Sequence, residues 1–523
     1  MEGKNWSILF ENKTANENYS NFLSILNETC DKHIPTKTVI IRPDDKPFMN
    51  SSIRKAIRKR NRIHYRAKST KDPDHWSQYI HLRNDVIRLV REAKTEYKNK
   101  LTSQLMDKSI PPDKWWRIAK SVCKLNKCNK VSPPIKHEGR IIIHPSEKCD
   151  IFNKYFADIS NIENEPNLLN EDFARDNICP ELLITEQEVK DQLEILNNSK
   201  PSGPDGVAPR ILRSVSQCLV SPLTLLFNQS LQCGQLPYIW KRSHVTPVYK
   251  NKGVASDITN FRPIAFTCVL CKMMEKIIVK HLHNYVLEHH IITEHQSGFQ
   301  PKDSTVNQLV YIYNTIISNL DIGKDIRFIF CDISKAFDRV WHTGLLYKLR
   351  KIGIDGNLLS WVTDYLDDRK QKVVLDGFSS GWEGIDGGVP QGSVLGPFLF
   401  LIYINDIVDD LDCNIKLFAD DTSLYVIVDE QNYIQAADML STDLSHIHNW
   451  SQNWAIKFNP NKTESVLFTR KNNVDYHNVY FGNPDNIVTD VEMHCHLGLD
   501  FRNNCKWKNH ITTIYEKAKF FVC

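Results

Sequence analysis

The 523-residue sequence predicts an α+β fold: a body of buried strands and helices preceded by a basic, mainly helical extension. Three observations predict it. Beyond about residue 240, apolar runs of strand length alternate with helix-length stretches, as expected of a sheet covered by helices. Before residue 170 the pattern is helical and charged. The composition, 41% apolar and 24% charged, is that of a globular chain and excludes a wholly disordered or collagen-like protein.

Taken in order, residues 1–170 form the extension. Residues 51–100 carry 15 Lys/Arg against 5 Asp/Glu, while the whole chain has 66 against 62. One segment therefore holds the positive excess, a pattern suited to a polyanion. Its helix places Val86, Val90, Ala93, Tyr97 and Leu101 on one stripe and leaves Arg83, Arg88, Arg91, Lys94 and Lys98 for solvent or phosphate. Tyr65, Trp76 and Tyr79 interleave with the charge and favour nucleic-acid contact over a merely solvated helix. Residues 161–180 are polar and linker-like. A helix through Val189, Leu193 and Leu196 then leads to the Lys200–Gly206 loop, whose Gly and Pro residues mark a turn before they mark a phosphate cradle. Strands are expected at 326–333 and 372–375, helices at 355–366, 398–407 and 440–450, and two strands around Asp420-Asp421.

No apolar run approaches the roughly 20 residues of a membrane span; the longest, 394–404, contains Pro397. The first 13 residues lack a secretory core, so the 14 dispersed cysteines read as reduced thiols of an intracellular protein. Cys268 with Cys271, Cys123 with Cys128, and Cys495, His496, Cys505 and His510 are weak zinc candidates beside a structural reading.

Four adjacent Asp pairs occur: Asp44-Asp45, Asp367-Asp368, Asp409-Asp410 and Asp420-Asp421. Only the last lies between two apolar strand-like runs, 415–419 and 424–428. It therefore reads as the two-residue tip of a hairpin at the edge of a buried sheet. Like charges so close repel unless a cation neutralises them. Asp332 ends the alternation of Ile326, Phe328 and Phe330 and emerges on the same face. Three carboxylates at the ends of buried strands suit two Mg²⁺ or Mn²⁺ ions and in-line phosphoryl transfer. The competing reading is three capping or turn aspartates.

At these residues the chain resembles a known family. Phe330 to His342 (FCDISKAFDRVWH), Gly388 to Pro397 (GVPQGSVLGP) and Leu417 to Thr422 (LFADDT) resemble the catalytic motifs of reverse transcriptases, most closely the jockey-like non-LTR retrotransposon type. The resemblance continues through Trp240-Lys241, Pro247 to Lys250, Asn260 to Ile264, Gln296 to Phe299 with Ser304-Thr305, Trp454, Asn459 with Lys462-Thr463, Leu497 to Leu499, Trp507 and His510. These ordered motifs cover about 200–510.

The resemblance implies a right-hand polymerase with palm, fingers and a partial thumb. Its divisions would be a spacer at 1–170, fingers entry at 171–230, fingers and palm at 231–475, and a final hairpin with the start of a truncated thumb at 476–523. Asp332, Asp420 and Asp421, with the Ile333 carbonyl, would hold two Mg²⁺ or Mn²⁺ ions. Phe337 would stand under the incoming sugar, fill the space of a 2′-hydroxyl and so select dNTPs. Arg262 and Lys250 would bind triphosphate, with Lys252 less central. Gln391 and Gly392 would lie against nucleotide and template–primer, and Lys462 would protonate the leaving pyrophosphate. Asp338 is expected to anchor its loop.

Partners would be an RNA template, a DNA primer or nicked target DNA, and dNTPs, with no membrane. The location would be nuclear, with Lys59 to Arg62 as a basic signal. No region resembles an upstream endonuclease and the thumb is just starting at Cys523, so the chain reads as the middle of a longer protein. Two rivals remain: a catalytically silent remnant that only binds nucleic acid, and an RNA-making polymerase, against which Phe337 and Ala419 argue.

Overall fold

The structure is a computed structural model; it describes residues 4–34, 46–107, 109–122, 132–162, 165–166, 177–429, 432–471, 474 and 477–522. Cys123, Cys128, Asp44 and Asp45, and most of the expected linker at 161–180, lie outside these residues. The chain divides into two units: residues 1–33 with 131–510, and residues 34–130 with 511–523.

The larger unit holds two five-stranded sheets. In the first, the central strand Asp325–Asp332 pairs antiparallel with Asp421–Val428 on one side and Glu464–Phe468 on the other. Asn414–Phe418 and Thr489–Asp490 form its edges. Strand alternation explains why this strand is apolar on both faces apart from Arg327. Ile326, Phe328 and Phe330 pack with Ile312, Ile316 and Leu320 of the helix Thr305–Asp321, whereas Ile329, Cys331 and Ile333 enter the main core. A strand covered on both faces can end in a polar residue only at its rim, and Asp332 stands there, half-buried.

The second sheet centres on Arg242–Tyr249, paired antiparallel with Phe261–Phe266 and parallel with Arg369–Leu375. The expected helices form close to their expected bounds. Leu395–Ile404 begins three residues early because Pro397 is tolerated in a first turn. Gly356–Leu366 is capped by the Asp355 carboxylate, and Tyr433–Asn453 extends beyond 440–450 at both ends.

Residues 1–170 are not one unit. The helices Trp6–Phe10 and Ala15–His33 bury Trp6, Phe10, Tyr19 and Phe22 in the main core, and the Tyr19 hydroxyl donates to Asp205 at 2.6 Å. That bond, and the packing of Gly203 on the backbone of Cys268, make the 200–206 loop structural. Farther on, the hairpin Ile135–His137/Arg140–Ile142 and the helix Pro145–Ser160 cover the second sheet. Their Phe152, Phe156 and Ile135 pack with Val245, Phe261 and Val373. These pieces bury large apolar side chains, a stronger tie than their distance along the sequence.

In the smaller unit, the helices Ser51–Thr70 and Pro73–Met106 pair as a hairpin, with His64 stacked on Tyr79 at 4.5 Å. Val86 is buried and Val90, Ala93, Tyr97 and Leu101 are half-buried, the expected stripe. The first helix has eight Lys/Arg and no Asp or Glu. Among the described residues no helix is long and apolar enough to cross a membrane.

Candidate active site

The register of the first sheet assembles the acidic triad. Asp421 is the direct cross-strand partner of Asp332, and Asp421 also pairs with Phe418 across the hairpin. The two-residue tip is therefore Ala419-Asp420, one residue earlier than the sequence suggested, and Asp421 is the first residue of its strand. Ala419 has φ of +57°, left-handed backbone that costs a non-glycine residue about 1–2 kcal/mol. Its amide donates to the Gln296 Oε1 atom at 2.9 Å, and the same oxygen accepts from the Gly298 amide at 2.7 Å. This brace holds the strained tip.

The carboxylates repel one another. Burial, then the charges of Asp420 and Asp332, push Asp421 up to about 6. Asp420 rises for the same reasons, burial first. Asp421 is itself exposed and adjoins the cleft that Asp332 and Asp420 line. Among the described residues no three His, Cys, Asp or Glu side chains converge tightly enough to grip an ion as they stand. The chemistry of the set still fits a hard divalent cation: acceptor oxygens only, like charge, and, in Asp420 and Asp421, a proton affinity raised by burial and by neighbouring carboxylates. Ile333, whose carbonyl is the expected further oxygen, lines the same cleft as Asp332 and Asp420. The short bridge between Ile333 and Phe458 is bonded through Ser334 and Asp332 and does not use that carbonyl. Neither cysteine cluster makes a comparable case. Cys268 and Cys271 are buried with their thiols pushed up by desolvation, and His510 turns to Asp500 at 3.4 Å.

A cleft of about 730 Å³ opens beside the triad. Its walls bring together Asp332, Ile333, Asp420, Phe337, Arg262, Lys250, Gln391, Gly392 and Lys462, so every residue singled out from sequence lines it or, like Asp421, adjoins it. Lys252 lines it too. Phe337 stacks on Phe400 at 4.6 Å and meets Phe299 edge-on, which fixes its ring. Arg262 is exposed on the Phe261–Phe266 strand, and Lys250 Nζ donates to the Thr259 carbonyl at 2.9 Å. Lys462 Nζ lies 3.2 Å from Asp332 Oδ2. The Gln391 amide donates to Asp338 Oδ1 at 2.8 Å, and burial raises Asp338 to about 6. Gly392 has φ of +115°, and a Cβ there would meet the Ala265 carbonyl oxygen at 2.6 Å. Its close approach is thus to the neighbouring strand.

Sequence reasoning did not single out Lys335, which lines the cleft, or Tyr155, which contacts it from helix Pro145–Ser160. Lys335 stood inside a quoted motif, but Tyr155 is 180 positions away and carried no signal. Gln296 and Gly298 were quoted as a motif without a role.

Residues 249–488 match the family described as Reverse transcriptase (RNA-dependent DNA polymerase), and residues 49–108 match the Female sterile protein K10 C-terminal domain. The chain is 29% identical over 341 residues to the RNA-directed DNA polymerase from mobile element jockey of Drosophila melanogaster, covering 64% of this chain and 37% of that protein. It is 28% identical to the jockey polymerase of Drosophila funebris, over 63% and 36%. The probable RNA-directed DNA polymerase from transposon BS of Drosophila melanogaster is 29% identical, over 54% and 32%. The chain spans about a third of the length of these curated relatives. The acidic triad and the cleft thus lie within residues 249–488, the stretch that matches the reverse transcriptase family, in a chain similar to the polymerases of jockey-like mobile elements.

Proposed function

We propose that this chain is an RNA-directed DNA polymerase that extends a DNA primer, or the 3′ end of nicked target DNA, along an RNA template. The observation that carries the reading is the register of Asp421 opposite Asp332, with Asp420 at the hairpin tip, on a cleft lined by cations. In this reading the first sheet is the palm, the second belongs to the fingers, and the helix Lys508–Val522 begins a thumb.

Asp332, Asp420 and Asp421, with the Ile333 carbonyl, would hold two Mg²⁺ or Mn²⁺ ions. When bound, such ions supply Lewis acidity toward an attacking 3′-hydroxyl and a departing pyrophosphate. Arg262 and Lys250 bind the triphosphate charge, and Arg262, with its fork of donors, also orients it. Phe337, locked between Phe400 and Phe299, fills the space beneath the sugar and leaves a ribose 2′-hydroxyl without room or partner. Gln391 and Gly392 line the nucleotide side of the cleft. Lys462, close to Asp332, carries the proton for the leaving group. The acid-free helix Ser51–Thr70 grips the phosphates of template RNA, and the chain works in the nucleus.

Primer extension on an RNA template with dNTPs and Mg²⁺ tests the proposal, with Asp421→Asn as the inactive control. Retained duplex binding without Mg²⁺-dependent extension would overturn it and leave a nucleic-acid-binding remnant.

A further inference from the structure

Lys335 sits in the cleft with φ of +55°, left-handed backbone that glycine would adopt without strain. Its ammonium donates to the Tyr155 hydroxyl at 3.3 Å and lies 5.4 Å from that ring's centroid. Among the described residues no carboxylate reaches ion-pair distance of it. The charged groups that face it are Lys250 and Lys462, which oppose its charge, and Asp338, which favours it but spends one carboxylate oxygen on Gln391. A half-buried ammonium beside two other cations, with a neutral phenol as contact partner, is poorly compensated until an anion arrives. The other cations differ. Lys250 is tied to a carbonyl and Lys462 to Asp332.

We infer that Lys335 is a binding residue for the two non-transferred phosphates of the incoming triphosphate, and that Tyr155 is its positioning residue. This rests on the polymerase reading above and adds a subsite to it. The hydroxyl and ring of Tyr155 hold the ammonium over the cleft. They come from helix Pro145–Ser160, which precedes the matched domain and packs Phe152 edge-on against Phe261, the neighbour of Arg262. The upstream segment thereby becomes part of the nucleotide site.

The full chain is titrated with inorganic tripolyphosphate, without metal, by calorimetry, and each variant is first checked for a native melting transition. Lys335→Met weakens binding by about tenfold or more, the scale of one charge-assisted hydrogen bond. Lys335→Arg stays within about threefold, because the charge is kept. Tyr155→Phe weakens binding by about threefold and raises the KM for dNTP by the same factor with kcat unchanged, a split that a general packing defect does not give. If Lys335→Met does not fold, Lys335→Gln and Tyr155→Phe carry the test.

Wild-type affinity in Lys335→Met, or a fall in kcat at constant KM in Tyr155→Phe, overturns the inference. Arg262→Ala separates the two levels. Weakened binding in that variant beside unchanged binding in Lys335→Met refutes the Lys335 subsite alone. No tripolyphosphate binding even by the wild type refutes both the subsite and the triphosphate site of the polymerase reading.

Discussion

Gly298→Ala tests whether the brace behind the hairpin sets the position of the carboxylates. Gly298 is buried, and a Cβ built on it would lie 2.2 Å from the Ala419 amide nitrogen and 2.8 Å from the Phe418 carbonyl carbon. Ordinary contact begins near 3.4 Å. Both obstacles are backbone, so no side chain can rotate away, and the hairpin tip must retreat by about 1 Å, a displacement that can cost roughly 100-fold in rate when it misplaces reacting groups. The overpacking itself costs about 1–3 kcal/mol. The expected result is a folded protein with a modestly lowered melting temperature and a primer-extension rate about 100-fold down, measured in single turnover at saturating dNTP. Gln296→Met removes the shared acceptor for the Ala419 and Gly298 amides without adding bulk, and should lower the rate in the same direction. A Gly298→Ala protein that folds and extends primers within about threefold of the wild-type rate would refute the brace, because displacement at the scale of 1 Å would then have no catalytic consequence.

Four further outcomes are expected. Folded Asp421 holds its proton up to about pH 6 whereas an unfolded carboxyl releases it near 3.9, so the metal-free fold gains stability as pH falls through that window, and Asp421→Asn flattens the slope. The same proton competes with Mg²⁺: the Mg²⁺-induced rise in melting temperature should be large at pH 7.5, small at about pH 5 and absent in Asp421→Asn; equal rises at both pH values would refute this. Phe337→Ala should relax discrimination against rNTPs by roughly tenfold or more in a competition assay, and unchanged discrimination would remove the ring from sugar selection. Lys348 is buried, bonded to the Tyr403 carbonyl and Asp406, and 3.7 Å from the Trp454 ring centroid. Lys348→Ala strands the Asp406 charge and should cost about 3–5 kcal/mol in denaturant unfolding, much of it recovered by pairing Lys348→Met with Asp406→Leu.

What was legible in the sequence was local. Ile326, Phe328 and Phe330 marked a strand because side chains alternate, and Asp332 fell at its end for the same reason. The apolar runs around Asp420-Asp421 marked a hairpin, but not which two residues turn. Turn preference favoured the Asp pair, whereas pairing of Asp421 with Asp332 and Phe418 draws it into the ladder and leaves Ala419 to adopt positive φ. Contacts across long separations left no trace. Trp6, Phe10 and Phe22 look like any apolar triplet until the helix Ser216–Cys233 and its neighbours bury them. Arg327 reads as a misplaced charge inside an apolar strand. In the fold it donates to Ser465, the His477 carbonyl and Asp490, so its burial is compensated by partners at least 138 positions away.

The cleft keeps most of its charges apart, and in the proposed polymerase that separation prepares it for a charged substrate. Lys462 reaches Asp332, but Lys250 is tied to a carbonyl and Lys335 to a phenol on other elements, and among the described residues Arg262 makes no ion pair with the triad. Had these cations paired with the triad, each carboxylate would be stabilised as an anion and its proton affinity lowered. Instead Asp420 and Asp421 are both raised. A triphosphate carrying divalent cations supplies both missing partners at once, anion to the lysines and cation to the aspartates. Either component alone leaves one wall uncompensated. Metal and nucleotide should therefore bind cooperatively, each increasing the affinity for the other by the same factor. If calorimetry with tripolyphosphate gave the same affinity with and without Mg²⁺ at pH 7.5, the two walls would not be acting as one site.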